Sequence, residues 1–177
     1  ELTIHPPPLE ITTTSPLADG QVNEPYDATI LAEGGSTDWT WSMITGTLPA
    51  GLTFTDAGEA AWIRGTPTEA GTFTVTIQVQ DNVYPALQDT STFEFVIYPP
   101  PLRITTSRDM PDAQVGMGYE QGIMAEGGSG SWYWRHTGGE LPPGISFSEG
   151  GGVAWITGTP TAAGTYTFYM EVRDWVY

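Results

Sequence analysis

The sequence predicts an all-β protein made of two tandem β-sandwich domains, and three observations carry that prediction. The chain repeats itself: residues 6–84 align with 99–177 without a gap, a period of 93 residues, and 40 of the 79 aligned positions are identical. It is rich in turn formers, with 22 glycines and 15 prolines in 177 residues. No long stretch sets apolar residues at helical spacing, whereas several short ones alternate apolar and polar side chains, the pattern of a strand with one buried face.

The elements can be read in order. Leu9 and Ile11 mark a first strand, Tyr26 to Ala32 a second and Trp39 to Met43 a third, with short strands around Thr53 and Ile63. Phe73, Val75, Ile77 and Val79 alternate with Thr74, Thr76, Gln78 and Gln80 in the longest strand, and Phe93, Phe95 and Ile97 make the last. In the second copy Tyr166, Phe168, Met170 and Val172 take the inward positions of the long strand. Gly34-Gly35, Pro49 with Gly51, Gly65 with Pro67, and Gly71 separate the runs and supply the backbone angles that tight turns demand. Seven short strands at this spacing suggest an immunoglobulin-like sandwich. Trp41 and Trp134 would pin the two cores, where antibody domains place a disulfide. The chain has no cysteine, which rules out disulfides, thiolate chemistry and Cys-based zinc sites.

The anchors of the repeat carry a resemblance. "AEGGS" recurs at 32 and 125, the pair Trp39/Trp41 at Trp132/Trp134, "LPAGLTF" as "LPPGISF", and "AWIRGTPTEAGTF" as "AWITGTPTAAGTY". These strings resemble the putative-Ig (cadherin-like) tandem repeats of large bacterial secreted and surface proteins, over nearly the whole of both copies. The chain departs from that pattern where the family's "ISGTP" reads "WIRGTP" and "WITGTP", adding Trp62 and Trp155. The resemblance implies an extracellular or cell-surface setting and a spacer or adhesive module rather than an enzyme.

The period also divides the chain into residues 1–5, 6–98 and 99–177. It maps Leu2 onto Phe95, Ile4 onto Ile97 and His5 onto Tyr98. Residues 1–5 therefore read as the last strand of a preceding or neighbouring domain, with Leu2 and Ile4 as its inward residues. At the other end Tyr177 corresponds to Tyr84, so the second copy has no counterpart of "PALQDTSTFEFVIY". A sandwich without that strand exposes unpaired backbone groups and an open core slot. Three arrangements answer to this: a piece of a longer tandem array, donation of residues 1–5 by another copy, or folding back of that segment within one chain. The extended run Pro99–Pro101, read as a spacer, disfavours the last.

Charge and motifs narrow the function classes. The chain carries 21 acidic residues against five arginines and no lysine, a net charge of −16, which repels nucleic acid and anionic membranes. No apolar run approaches the ~20 residues that span a bilayer. His5 and His136 are not shared between the copies, and the glycines at 127–130 and 150–152 lack the Lys-Ser/Thr of a phosphate loop. No enzyme is expected. No cofactor is expected, and Asp81, Asn82, Asp89 and Asp174 read first as turn-forming residues; the alternative is calcium, which their oxygens would suit, with Glu33/Glu126 or Asp19/Asp112 contributing. Trp39, Trp62, Trp132 and Trp155 are candidates for glycan or interdomain contacts, together with Tyr133, Tyr169 and Trp175. The expected function is a structural module of an extracellular stalk or fibre, its partners copies of itself or adjacent repeats. The alternative is an adhesin or carbohydrate-binding module that holds glycans.

Overall fold

The computed structural model describes residues 2–176, and the chain divides into two compact units, Glu1–Pro99 and Pro100–Tyr177. Glu1 and Tyr177, which the repeat assigns to a last strand and to the counterpart of Tyr84, lie outside the described residues. No helix occurs among the described residues.

The first unit contains β1 (Glu10–Ile11), β2 (Gly20–Gln21), β3 (Tyr26–Glu33), β4 (Trp39–Gly46), β5 (Leu52–Asp56), β6 (Ala60–Gly65), β7 (Gly71–Asp81) and β8 (Gln88–Tyr98). They form two four-stranded sheets, in the orders β1-β3-β6-β5 and β2-β8-β7-β4. This is the strand order of an immunoglobulin-like sandwich. Every pairing is antiparallel except β2 with β8, where Gly20 lies opposite Ile97 and Gln21 opposite Tyr98. The alternation of apolar residues did not reveal β2, because two residues are too short to show a period. Its glycine is needed for space: a Cβ on Gly20 would stand 2.7 Å from both the Ile97 and Tyr26 side chains.

The inward residues of the alternating strands build the core. Ile30, Ile63, Val75, Ile77, Val79, Phe93, Phe95 and Ile97 are all fully buried. Phe95 stacks against Tyr26 at 5.5 Å and against Phe73 at 5.8 Å between ring centroids. Burying each such side chain contributes roughly 1.5–3 kcal/mol, so β8 is a principal source of this unit's stability.

The second unit contains β9 (Arg103–Ile104), β10 (Tyr119–Ile123), β11 (Ala125–Glu126), β12 (Trp132–Gly139), β13 (Ile145–Gly150), β14 (Val153–Gly158) and β15 (Phe168–Asp174). Its sheets are β11-β9, β10-β14-β13 and β12-β15. The plan is that of the first unit, but among the described residues no strand stands where β2 and β8 stand there. β15 consequently pairs along one edge only, with β12. It is also shorter, 7 residues against 11 for β7. The missing part is residues 164–167, the counterparts of Gly71–Thr74, which in the first unit pair with Ile97, Val96, Phe95 and Glu94 of β8. Among the described residues they have no β8-like partner on that side, although the Thr167 carbonyl accepts the Glu140 N–H at 3.0 Å beside β12.

Candidate functional site: the turn carboxylates and the closing strand

The two tryptophans expected as core pins are buried, and the same local device holds each. Trp41 donates its indole N–H to the Gly58 carbonyl at 2.9 Å, and its backbone N–H to Asp56 at 3.2 Å. Trp134 does the same with Gly152 at 2.9 Å and Glu149 at 2.7 Å. A buried indole N–H usually finds an acceptor, and the tip of the neighbouring hairpin supplies it in both copies, whereas the buried Trp39 indole N–H has none.

The residues considered for calcium are engaged in hydrogen bonds within the fold. Asp81 is buried, and its carboxylate accepts the Ser36 backbone N–H at 2.5 Å, the Ser36 hydroxyl at 2.8 Å, and the N–H groups of Val83 and Tyr84 at 2.9 and 2.7 Å. Burial pushes this carboxyl up, but the combined hydrogen bonds from Ser36, Tyr84 and Val83 outweigh it and hold the pKa below the ordinary value. Asp174 repeats the arrangement with Ser129 and Val176. Asp89 accepts the Ile11 N–H at 2.8 Å, Asn82 bonds Asp38 and Thr40, and Asp19 accepts the Val96 N–H at 3.1 Å. Among the described residues no group of three or more His, Cys, Asp or Glu could hold a metal ion. The recurrent "AEGGS" is thereby explained: a Cβ on Gly35 or Gly128 would lie 2.3 or 2.2 Å from the carboxylate oxygen of Asp81 or Asp174. The prolines ahead of each sandwich belong to the same assembly, with the Pro7 and Pro100 carbonyls accepting the N–H of Gly35 and Gly128. The run at 99–101 is therefore anchored at Pro100, not a free spacer.

The feature that separates the two units is the closing strand. In the first, β8 is received on one side by β7 and on the other by residues 15–22. Leu17 donates its N–H to Glu94, Glu94 to the Ser15 hydroxyl, Val96 to Asp19, and Val22 to Tyr98. Tyr26 fixes this receiving segment by donating its hydroxyl to Ala18 at 2.9 Å, and burial, aided by the charge of Asp19, pushes its pKa up to about 12. The second unit keeps the latch: Tyr119 donates to Pro111 at 3.1 Å, beside Asp112. Among the described residues no strand takes the place of β8. Val115, the counterpart of half-buried Val22, is 47% exposed, and Phe168, Met170 and Val172 are half-buried where Val75, Ile77 and Val79 are fully so. Four apolar residues are buried in its core against sixteen in the first. Leu2 and Ile4 are 85% and 81% exposed, in a segment with no regular structure.

The remaining aromatic candidates divide. Trp39 is buried in the core, edge-on to Trp41 at 6.5 Å, so it faces no ligand. Trp132 is half-buried with its indole N–H on the Gly127 carbonyl at 3.1 Å. Trp62 is half-buried under the Arg64 guanidinium, 3.8 Å from the ring centroid, and Trp155 is half-buried on β14 beside Gly122. Trp175 and Tyr169 are the exposed rings, and Trp175 lies 4.4 Å from Tyr133. Asp112 and the tyrosine latch were not found as a strand receiver from sequence. Their signal is the shared "Y" at 26 and 119 with an aspartate seven residues before each.

Fold and site together define a tandem immunoglobulin-like protein. The chain belongs to the putative Ig domain family, whose model matches residues 8–98 and 100–174. No curated protein matches it. Among solved structures it is similar to the titin Ig tandem A164–A165, at 12% identity over 97% of each chain with a TM-score of 0.39. It is also similar to protocadherin gammaB7 EC3-6, at 10% identity over 93% of this chain and 46% of that one, TM-score 0.45. A third similarity is to a putative alpha-galactosidase from Bacteroides fragilis, at 20% identity over 56% of this chain, TM-score 0.42; the matched part spans about a fifth (21%) of that chain.

Proposed function

We propose that this chain is a non-enzymatic structural module of an extracellular stalk or fibre, whose units join head to tail by strand donation. The observation that supports this reading is the pair of putative Ig domains, two copies of one sandwich module in tandem. An extended segment adding to a sheet edge gains main-chain hydrogen bonds and buries alternate side chains. A head-to-tail contact of this kind does not close on itself, so it propagates into a filament. The charge of −16 opposes lateral sticking between filaments. Deleting residues 1–5, or placing aspartate at both Leu2 and Ile4, is expected to abolish long assemblies seen by sedimentation and electron microscopy. Assemblies of unchanged length would reject strand donation by this segment.

A second reading, an adhesin or carbohydrate-binding module, rests on one observation: the Tyr133–Trp175 pair with Trp175 68% exposed. Paired exposed rings offer a stacking surface for sugars. Binding on a glycan array that Trp175→Ala removes would favour it; an array blank with the intact chain would reject it.

A further inference from the structure

We infer that the outward face of β12 and β15 binds an acidic saccharide, Trp175 stacking on a sugar ring while Arg135 and Arg173 take its carboxylate or sulfate. This rests on the carbohydrate-binding reading above and names its ligand class. Tyr133 and Arg135 alternate with buried Trp134 on β12, and Glu171 and Arg173 alternate with Met170, Val172 and Asp174 on β15. Tyr133 lies opposite Arg173 and Arg135 opposite Glu171, so these four side chains share the face turned away from the core. Trp175, one residue beyond β15, rests on Tyr133 with ring centroids 4.4 Å apart, and its N–H bonds the Ser131 carbonyl at 3.0 Å.

The two copies separate this face from the needs of the fold. Its five positions are Thr40, Ser42, Gln78, Gln80 and Asn82 in the first unit, and all five have changed. The inward Trp39, Trp41, Val79 and Asp81 between them are retained as Trp132, Trp134, Val172 and Asp174. Thr40 donates its hydroxyl to Asn82 at 2.9 Å, where the second unit has the Tyr133–Trp175 ring contact. Thr40 and Asn82 are exposed although β8 completes that sheet, so this end of the face is open in a complete sandwich too. A strand beside β15 pairs in the plane of the sheet and leaves outward side chains outward.

Two of the five arginines of the chain stand here. Glu171 holds Arg173 at 3.0 Å, and Arg135 makes no ion pair among the described residues. Successive positions on one face of a strand are about 7 Å apart, which brings a substituent of a sugar on Trp175 and Tyr133 towards the guanidiniums. A guanidinium takes an oxyanion through two parallel N–H bonds. Charges more than about 10 Å away are largely screened at 0.1 M salt, so the two arginines rather than the net charge of −16 set the local preference.

Probing the full chain against oligosaccharides matched in neutral, carboxylated and sulfated forms, on an array and then by titration, tests the class. An acidic form is expected to bind about tenfold or more tightly than its neutral match, and the better of the two acids tells carboxylate from sulfate. Arg135→Gln should remove that preference and leave the neutral sugar's affinity unchanged, whereas Trp175→Ala should weaken all forms. Both side chains are exposed, so the variants keep the fold, which circular dichroism checks. Raising salt should shrink the preference and spare the stacking. Equal affinity for acidic and neutral forms, lost in Trp175→Ala, would overturn the acidic class and leave the carbohydrate-binding reading standing. Acidic binding that survives Arg135→Gln and Arg173→Gln together would overturn this face as the site. No binding to any form would overturn both readings.

Discussion

Asp81 shows how one side chain decides what a recurrent motif means. Its carboxylate gathers four donors from two loops, and Gly35 is glycine because its φ of +55° and its closeness to the carboxylate leave no room for a Cβ. Since the folded pKa is lowered, this contribution to stability is fully present above the ordinary carboxyl value of about 3.9 and is lost as pH falls through the depressed one. Asp81→Asn is expected to lower the urea midpoint of the first unit at neutral pH and to flatten its acid limb below about pH 4; an unchanged pH profile would count against this. Because the oxygens of Asp81 and Asp174 face N–H and O–H donors, chelation with EDTA should leave the melting temperature where it was. The acidic composition suggested calcium. Which donors face each carboxylate depends on loops 45 residues apart in the chain, and no local spacing reveals that.

At the scale of the element, the same sequence pattern has different worth in the two copies. β7 lies between β4 and β8, whereas among the described residues β15 pairs with β12 alone. Ile77 and Met170 occupy equivalent positions, yet Ile77 is fully buried and Met170 only half-buried. Ile77→Ala is therefore expected to cost about 2–5 kcal/mol by chemical denaturation, and Met170→Ala roughly half that. Equal costs would mean that the second core is closed in solution. The alternation in residues 73–80 made β7 legible, and the repeat extended that reading to 166–172. The loss of strand at 164–167 was not legible, because propensity there is unchanged and only the missing ladder differs.

For the whole molecule, the unequal cores set the order of unfolding. The chain should unfold in urea in two steps, the second unit first, since it buries four apolar residues where the first buries sixteen. If a second copy supplies the closing strand, the midpoint of that first step rises with protein concentration while the other does not move. Circular dichroism and tryptophan fluorescence at two concentrations check both points.

The sequence alone determined the repeat, the all-β sandwich and the buried tryptophans. These depend on period and residue type, which are properties of the chain read along its length. The tertiary structure decided that the paired aspartates brace turns, that Trp39 is core, and that Tyr119 ties its hydroxyl to Pro111 as Tyr26 does to Ala18. Those depend on which groups from distant segments meet, and hydrogen bonding and burial are settled only by that meeting.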